Sequence, residues 1–417
     1  MKKIIYVLLI CVIVLMQLYE TYAKTSIDIT RKNGFDITPF YQPQGSIVAD
    51  SQTGRILWEE DIDKRWHPAS MSKLMTLALV LEKIQDGSLS MDKKVAVTKE
   101  DVRFSEHPLL SNNKMYNGTT YRVDELINLL LIPSSNVATR MLMQQVEPDM
   151  KQFVEMMNQK AKALKMNRTH FVNPFGAAND SIGKQYLPPG SKMTDDNIST
   201  SRDFAILAHY LINTFPYLTD FTKHATYISK PHTPYEERFH TYHHSLEGDV
   251  HEYKGTNGLK TGSSDKAAYN YTSTVKRENL GLIQVLMGVG HWDIDDSEYK
   301  RHVIGNALLD EVYKKYEYRQ VISKGVHYIN GQQYQVEAPL LDVVEKGQAV
   351  KFNIKNNQLF VSDGKRQYLT DEMKQPSVSV TPIKQSNEPF NTYTKIVLIG
   401  ICMLLVLYII YRQVKYK

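Results

Sequence analysis

The chain has 417 residues, of which 42% are hydrophobic and 23% charged. This composition is too apolar for a disordered protein, and the length predicts about two folded domains. The net charge of +5 comes from 50 basic and 45 acidic residues without a long basic block, which argues against nucleic acid as a partner. Both cysteines, Cys11 and Cys402, lie in apolar terminal segments, which excludes a disulfide framework, a cysteine zinc site and a cysteine nucleophile in the main domain.

The N-terminus has the pattern of a secretory signal peptide. Lys2 and Lys3 precede an apolar stretch over residues 4–18, and residues 21–23 read Thr-Tyr-Ala, a small-residue cleavage pattern. We therefore expect an exported chain whose mature form begins at Lys24.

The C-terminus carries an apolar segment at residues 396–411, about 16 uncharged residues, a little short of the roughly 20 that span a bilayer without tilt. Arg412 and Lys415 follow it, which by the positive-inside bias puts the C-terminus in the cytoplasm and everything before Lys395 outside. A buried core helix is the alternative, but the polar, proline-containing stretch 375–391 before it argues against that. The sequence thus predicts an extracellular domain held at the cell membrane by a single-pass helix.

Hydrophobic periodicity along the ectodomain predicts an α+β fold. A hairpin at 47–58 and strands at 258–262, 267–275 and 280–289 would form an antiparallel sheet of about five strands, with a helical lobe inserted between its halves. The helix predicted at 70–85 is apolar on nearly every face, so we expect it at the centre of the domain. The other predicted helices lie at residues 123–132, 137–146, 150–164, 203–215 and 297–316.

Beyond residue 318 the pattern becomes strand-rich. Turn signals occur at Asn330-Gly331 and Asp363-Gly364, and no further long helix is predicted before the C-terminal apolar segment. These features predict a small all-β domain between the main domain and the membrane.

Ser70 and Lys73 form the first candidate catalytic pair. Lys73 lies one turn after Ser70, so both side chains project from the same face of the predicted helix, as a serine nucleophile and its proton acceptor require. The Ser-x-x-Lys spacing recurs elsewhere, but Ser70 begins the most hydrophobic helix of the ectodomain. Its lysine must face a polar cleft, because burying an unpaired ammonium is costly.

A second candidate motif, Ser-Ser-Asn at Ser134 to Asn136, follows Pro133 in a short break between two apolar helices. There its hydroxyl and amide groups can point into a cleft. By itself the motif is better explained as an N-cap of the following helix. Residues 111–113 match the same Ser-x-Asn spacing but lack a helix on both sides.

A third motif, comprising Lys260, Thr261, Gly262 and Ser263, lies on a predicted strand after Gly258. Glycine within a strand commonly marks a close approach of the backbone to a ligand. An ordinary edge strand with an exposed lysine is the alternative.

Together, in this order and on helix, inter-helix loop and strand, the three motifs resemble those of active-site serine penicillin-binding proteins and β-lactamases. The resemblance covers about residues 25–383. The layout and the His-Pro-Ala sequence before Ser70 are similar to the low-molecular-mass D-alanyl-D-alanine carboxypeptidases. Ser-Ser-Asn combined with Lys-Thr-Gly-Ser-Ser is similar to the type-4 enzymes of Gram-positive cocci, which implies transpeptidase alongside carboxypeptidase activity.

The resemblance implies a fold and a division of the chain. The fold is a penicillin-binding/β-lactamase-like transpeptidase domain followed by a small all-β domain and a transmembrane helix. The predicted segments are a signal peptide at 1–23, a serine D,D-peptidase domain at 24–318, a small β-rich domain at 319–383, a linker at 384–394, a transmembrane anchor at 395–412 and a cytoplasmic tail at 413–417.

The resemblance also implies catalytic roles. Ser70 is expected to attack the carbonyl between the two terminal D-alanines of a peptidoglycan stem peptide, releasing D-alanine and leaving an acyl-enzyme. Lys73 is expected to take the proton, kept neutral by partial burial and by the nearby charge of Lys260. Ser134 is expected to relay the proton to the leaving amine.

Substrate binding is implied for the remaining motif residues. Asn136 is expected to hold the substrate amide, and Lys260 with the hydroxyls of Thr261 and Ser263 to hold the terminal carboxylate. Gly262 belongs to the same substrate-binding strand, and the backbone N–H groups of Ser70 and Ser263 are expected to form the oxyanion hole. β-Lactams are the expected covalent inhibitors, and no cofactor or metal is expected.

Three peripheral residues are weaker candidates. Arg202 is more simply a structural ion-pair partner than a cleft residue. Tyr242 and Trp292 could line the rim of the pocket, although aromatic residues in such places are as often in the core. Four histidines cluster in sequence without a helical His-Glu-x-x-His motif or a nearby carboxylate pattern, which disfavours a metal site: His240, His243, His244 and His251.

Two other functions are compatible with the same motifs. One class of β-lactamase carries a general-base glutamate on a loop after the second motif, but the corresponding residues 169–179 contain neither Glu nor Asp. A membrane-tethered penicillin sensor or scaffold is the other alternative. A sensor needs a signalling domain across the membrane, and only residues 412–417 follow the predicted span.

Overall fold

The computed structural model describes residues 24–383 and 390–415. The predicted signal peptide at 1–23 lies outside the described residues, as do residues 384–389 of the predicted linker and the last two residues of the predicted tail.

The described strands are β1 (Gly45–Asp50), β2 (Ile56–Glu60), β3 (Lys94–Ala96), β4 (Thr120–Arg122), β5 (Thr226–Ser229), β6 (Glu237–His240), β7 (Thr256–Ser264), β8 (Ala268–Arg277), β9 (Leu280–Val289), β10 (Tyr316–Ile322), β11 (Gly325–Ile329), β12 (Gln332–Val336), β13 (Leu340–Glu345), β14 (Phe352–Lys355), β15 (Gln358–Val361) and β16 (Val378–Pro382).

The described α-helices are α1 (Ser26–Lys32), α2 (Lys73–Gln85), α3 (Lys99–Ser105), α4 (Val123–Leu131), α5 (Asn136–Val146), α6 (Met150–Ala163), α7 (Asn179–Ile182), α8 (Ser201–Thr214), α9 (Thr219–Thr222), α10 (Asp296–Lys315) and α11 (Phe390–Lys415). Short 3-10 turns lie at Pro39–Tyr41, Ala69–Ser72, Lys184–Tyr186 and Pro216–Leu218.

The main sheet has five antiparallel strands in the order β2-β1-β9-β8-β7. This confirms the predicted sheet and the insertion of the helical lobe, since β1 and β2 precede the lobe while β7 to β9 follow it. All residues of β9 are buried because the sheet is covered on both faces. Ile283 and Val285 face the lobe core, whereas Leu282 and Leu286 pack with α10.

Helix α2 lies at the centre of the lobe, as its all-round hydrophobicity predicts. Every residue from Lys73 to Leu81 is buried, and the helix contacts α4, α5, α6 and α8. The sequence predicted a helix start at Ser70, but the helix begins at Lys73. The reason is that residues Ala69–Ser72 form a tighter 3-10 turn. Ser70 is therefore presented on a turn directly before the helix.

The chain divides into two compact units. One contains the described residues up to Arg319 together with Val343–Ala349 and Asp363–Gln375, and the other contains Gln320–Asp342, Val350–Ser362 and the described residues from Pro376 onward. The predicted domain boundaries at 318 and 383 stay predictions.

The second unit contains an all-β sheet in the order β11-β12-β16-β15-β14, which confirms the predicted β architecture. The predicted turn at Asn330-Gly331 joins β11 to β12, with both residues at positive φ, +49° and +88°. Helix α11 contains one candidate membrane span by length and composition, the 22 residues Thr394–Lys415. The most apolar part of this span is exposed throughout.

Candidate active site

Ser70 and Lys73 are in direct contact. The Lys73 ammonium nitrogen Nζ lies 2.9 Å from Ser70 Oγ. Ser70 is half-buried on the turn, whereas the Lys73 side chain is fully buried in the lobe. The predicted nucleophile and proton acceptor thus have hydrogen-bond geometry.

A backbone carbonyl holds Lys73 from the other side. Phe175 O accepts a hydrogen bond from Lys73 Nζ at 2.8 Å. The partners of Lys73 are thus a hydroxyl and a carbonyl, and neither a Glu nor an Asp is paired with it among the described residues. Burial, and secondly the charge of Lys260, hold the pKa of Lys73 well below that of an ordinary lysine.

The loop that supplies this carbonyl is fixed by buried asparagines. Asn173 Oδ1 accepts the backbone N–H groups of Phe175 and Gly176 at 3.0 and 2.8 Å. Asn197 Nδ2 donates to Asn173 O and to Ser72 Oγ, which ties the loop to the catalytic turn. This is the loop where the sequence offered no acidic general base, and it positions a carbonyl there instead.

The second motif begins with Ser134 in the left-handed region at φ +61°. Its Oγ atom and the Oδ1 atom of Asn136 are buried without a hydrogen-bond partner among the described residues. Buried polar atoms are normally paired, so two such atoms on one motif indicate a place where a ligand supplies the partner. Ser135 caps α5 by accepting the N–H of Ala138, so the capping role belongs to the middle serine.

Residues 111–113, which the sequence analysis set aside, support the second motif. Ser111 O accepts the side-chain amide of Asn136 at 2.9 Å. Asn113 Oδ1 accepts the hydroxyl of Ser135 at 2.7 Å, and Asn112 Oδ1 accepts the backbone N–H of Val137 at 2.8 Å. The two segments are therefore in direct contact, and residues 111–113 support the second motif.

The third motif lies on edge strand β7 beside the catalytic turn. A Cβ atom on Gly262 would come within 2.4 Å of Pro68 O and 2.9 Å of Met71 N, so only glycine allows the strand to approach this closely. Lys260 is buried and donates to Thr261 O at 3.0 Å, which overturns the reading of an exposed edge lysine. Ser263 is half-buried on the same strand.

Arg301 is a buried charge that the sequence analysis missed. It lies on α10, is fully buried, and donates to the carbonyls of Asn270 and Tyr242 at 3.1 and 2.8 Å. Burial, and secondly the charge of Arg301, lower the pKa of Lys260 to about 7. No local motif marks Arg301, because its position beside Lys260 depends on how the helix packs on the sheet.

The three motifs converge on one region of the first unit. Gly262 meets the turn that carries Ser70, the charge of Lys260 acts on Lys73, and α5, which follows Ser134, packs against α2.

The peripheral candidates have different outcomes. Arg202 forms a two-pronged ion pair with Asp63 at 2.9 and 3.0 Å, as expected for a structural role. Trp292 is 42% exposed and stacks on Tyr269, the strand neighbour of Ser263. Tyr242 is 45% exposed, so neither proposed rim residue is in the core.

Comparison with known proteins identifies the family. A family model described as D-alanyl-D-alanine carboxypeptidase matches residues 38–290, more than half of the chain. The chain belongs to the D-alanyl-D-alanine carboxypeptidase family. It is a penicillin-binding serine peptidase, and this confirms the resemblance drawn from the three motifs. Residues 318–381 match a second model, described as a domain of unknown function (DUF1958).

Individual relatives match this chain over most of its length. The D-alanyl-D-alanine carboxypeptidase DacF of Bacillus subtilis is 25% identical over 320 residues, covering 76% of this chain and 72% of DacF. The structure of penicillin-binding protein D2 from Listeria monocytogenes in its ampicillin-bound form is 25% identical, with a TM-score of 0.51 over 67% of this chain and 98% of that one. The structure of the peptidoglycan synthesis regulatory factor PBP3 from Streptococcus pneumoniae shares the fold, at 24% identity and a TM-score of 0.70 over 82% of this chain and 99% of that one.

Proposed function

We propose that this carboxypeptidase uses Ser70 as its nucleophile and Lys73 as its general base. Ser70 Oγ attacks the carbonyl of the penultimate D-alanine while its proton passes to Lys73 Nζ, 2.9 Å away. The buried Lys73 with its lowered pKa carries the proposal, because only a neutral amine accepts that proton.

The second motif is proposed to complete the step. The C–N bond of the substrate breaks, and the proton returns from Lys73 through the Ser134 hydroxyl to the leaving D-alanine amine. Asn136 Oδ1, buried and without a partner among the described residues, accepts the N–H of the substrate amide. The backbone N–H groups of Ser70 and Ser263 stabilise the developing oxyanion.

The third motif is proposed to select substrates that end in a free carboxylate. Lys260 supplies the positive charge, and the hydroxyls of Thr261 and Ser263 supply hydrogen bonds. Because Gly262 has no side chain, this strand can lie beside the turn that carries the nucleophile. A β-lactam carries a carboxylate at a similar distance from its reactive carbonyl, so it acylates Ser70 as a substrate analogue.

The acyl-enzyme is proposed to pass to water or to the amine of a second stem peptide. These outcomes correspond to trimming and cross-linking of peptidoglycan. Lys73 has no carboxylate partner among the described residues, so rapid hydrolysis by a glutamate-activated water, as in one class of β-lactamase, is disfavoured.

The chain is proposed to act outside the cell, at the membrane face of the wall. The apolar span Thr394–Lys415 ends in basic residues, which by the positive-inside bias places the C-terminus in the cytoplasm and the peptidase domain outside. The small β-rich domain at 319–383 is then a spacer between the span and the peptidase domain.

Intact-mass analysis of the full chain in detergent tests the nucleophile. Wild-type protein is incubated with ampicillin and separately with a stem pentapeptide, beside Ser70→Ala and Ser90→Ala. Ser90 is the matched control, since it has the same spacing to Lys93 but lies on the exposed surface.

We expect a persistent ampicillin adduct and D-alanine release for wild type and Ser90→Ala, and neither for Ser70→Ala. An adduct that decays within seconds would indicate a lactamase, and an adduct without D-alanine release would indicate a sensor. An adduct on Ser70→Ala would refute the assignment of the nucleophile.

A further inference from the structure

The last residue of β6 and the loop that follows it place two histidines beside one buried carboxylate. His240 Nε2 lies 2.8 Å from Asp249 Oδ2, and His244 Nδ1 lies 3.1 Å from Asp249 Oδ1. One donor atom from each of the three residues lies within 4.8 Å of the others. The sequence disfavours a metal site, because these histidines lack a His-Glu-x-x-His motif and a nearby carboxylate pattern, but the fold of the loop brings the Asp249 carboxylate to them.

The ligand set has the composition and spacing of a site for a transition metal. Two imidazole nitrogens and one carboxylate oxygen are the ligands that Zn²⁺ and its neighbours prefer. Donor atoms around a tetrahedral zinc ion lie about 3.4 Å apart, given bond lengths of about 2.1 Å. The separations of 2.8 and 3.1 Å are somewhat shorter than that value, and all three donor atoms lie within 4.8 Å of one another, so side-chain rotations that open the cluster slightly would admit an ion.

A second carboxylate orients His244. Its other ring nitrogen, Nε2, lies 3.7 Å from Glu298 Oε1 on α10, and its ring stacks on Tyr299 with centroids 4.9 Å apart. Metal-binding histidines commonly point their second nitrogen at a carboxylate, which keeps the proton there. With a cation bound to His244 Nδ1, the ring proton would lie on Nε2 and face the Glu298 carboxylate.

The backbone of the loop holds the three ligands in position. His251 N donates to His244 O at 3.0 Å, and Asp249 N donates to Leu246 O at 3.2 Å. The side chains of Asp249 and His244 are only 3% and 10% exposed, whereas that of His240 is 52% exposed. An ion can therefore enter from the His240 side, where water would complete its coordination.

We propose that His240, His244 and Asp249 bind one divalent transition-metal ion, with Zn²⁺ as the best match. The site is structural. The bound ion joins the end of β6 to a loop that leads into β7, the strand that carries Lys260. It is separate from the serine chemistry and does not depend on the catalytic roles proposed for the three motifs.

Metal titration of the untagged full chain in detergent, after treatment with a chelator, tests this proposal. Co²⁺ is the spectroscopic probe, because its visible absorption reports tetrahedral nitrogen and oxygen ligands, and Zn²⁺ is the competitor. We expect one Co²⁺ per chain, displaced by Zn²⁺, and a rise in melting temperature of about 4 °C at a hundredfold excess of Zn²⁺ over its Kd.

His240→Ala should lose the Co²⁺ spectrum and the thermal shift while keeping ampicillin acylation, since its half-exposed side chain contributes little to the core. His291→Ala is the matched control, because His291 is an exposed histidine 3.6 Å from Asp293 but without a third ligand, and it should bind as wild type does. Absence of a tetrahedral Co²⁺ spectrum in wild type, or full retention of binding in His240→Ala, would overturn the proposal.

Discussion

Lys73 and Lys260 are both buried, and their proposed roles need opposite protonation states. Lys73 must be neutral to accept a proton, whereas Lys260 must be charged to bind a carboxylate. Burial is the largest influence on both pKa values, and the second is a neighbouring cation, Lys260 for Lys73 and Arg301 for Lys260. The charge of Arg301 thus lowers the pKa of Lys260, and the charge of Lys260 lowers the pKa of Lys73.

The opposite requirements predict a bell-shaped pH profile for kcat/KM. Activity should rise with pH as Lys73 loses its proton and fall as Lys260 loses its own, at about pH 7 in the free enzyme. A bound substrate carboxylate raises the pKa of Lys260, so the alkaline limb of kcat should lie at higher pH than that of kcat/KM. Steady-state rates with a stem pentapeptide between about pH 5 and pH 9 measure both limbs.

A pentapeptide with a C-terminal carboxamide is the control for this profile. It cannot use the charge of Lys260, so its weaker turnover should lack the alkaline limb. The same alkaline limb with both peptides would contradict the role of Lys260 in carboxylate binding.

At the scale of elements, the site depends on how closely β7 approaches the catalytic turn. Gly262→Ala places a methyl group 2.4 Å from the backbone carbonyl of Pro68, which cannot rotate away. We expect a loss of about 1–3 kcal/mol in the free energy of unfolding and a fall of about tenfold or more in the ampicillin acylation rate, since small displacements of reacting groups are costly.

Gly281→Ala on β9 is the matched control for Gly262. Its added methyl group would meet the side-chain hydroxyl of Ser51, which can rotate. Acylation should stay close to wild type in this variant. Equal acylation rates in the two variants would show that the close approach at Gly262 is not needed for catalysis.

The loop at residues 173–176 is the second element that shapes the site. Asn173→Ala removes the acceptor for two backbone N–H groups and frees the Phe175 carbonyl that holds Lys73. We expect a loss of about 1–3 kcal/mol in stability and about a tenfold or greater fall in acylation rate, measured by chemical denaturation and by stopped-flow with a fluorescent penicillin.

Asn158→Ala separates stability from catalysis in that experiment. Asn158 also holds a loop by bonding both backbone groups of Phe171, but it does not touch Lys73. It should lose similar stability and keep its acylation rate after correction for folded fraction. A comparable loss of rate in both variants would indicate a general effect of loosening the lobe.

At the scale of the whole molecule, the proposed anchor predicts where the protein fractionates. A chain that lacks residues 390–417 should leave the membrane pellet for the soluble fraction, because the apolar span is removed. Its acylation by ampicillin should be unchanged. Immunoblots of membrane and soluble fractions after an alkaline carbonate wash measure the distribution.

A chain that lacks only residues 413–417 is the matched control for the anchor. It keeps most of the apolar span and should stay in the pellet. Retention of the longer deletion in the pellet would show that another part of the chain binds the membrane.

Much of the main domain followed from local patterns. Helices α4, α5, α6 and α8 lie within two residues of their predicted ends, because each has a clear apolar stripe. Helix α3 was missed despite its Thr98 capping box, since it has only seven residues. The hairpin turn at Asn356 and Asn357, both at positive φ, was missed because it contains no glycine.

The family, the α+β fold and the residues of the three motifs could be predicted from the sequence, since they depend on local periodicity and on residue types at set spacings. The contacts that those residues make could not be predicted in the same way. Lys73 meets the Phe175 carbonyl 102 positions away, Arg301 acts on Lys260, and two histidines meet Asp249. The first two pairs come from different elements, and the packing of those elements sets their distances and charges. The histidines meet Asp249 because of how one irregular loop folds, and no periodic pattern encodes that.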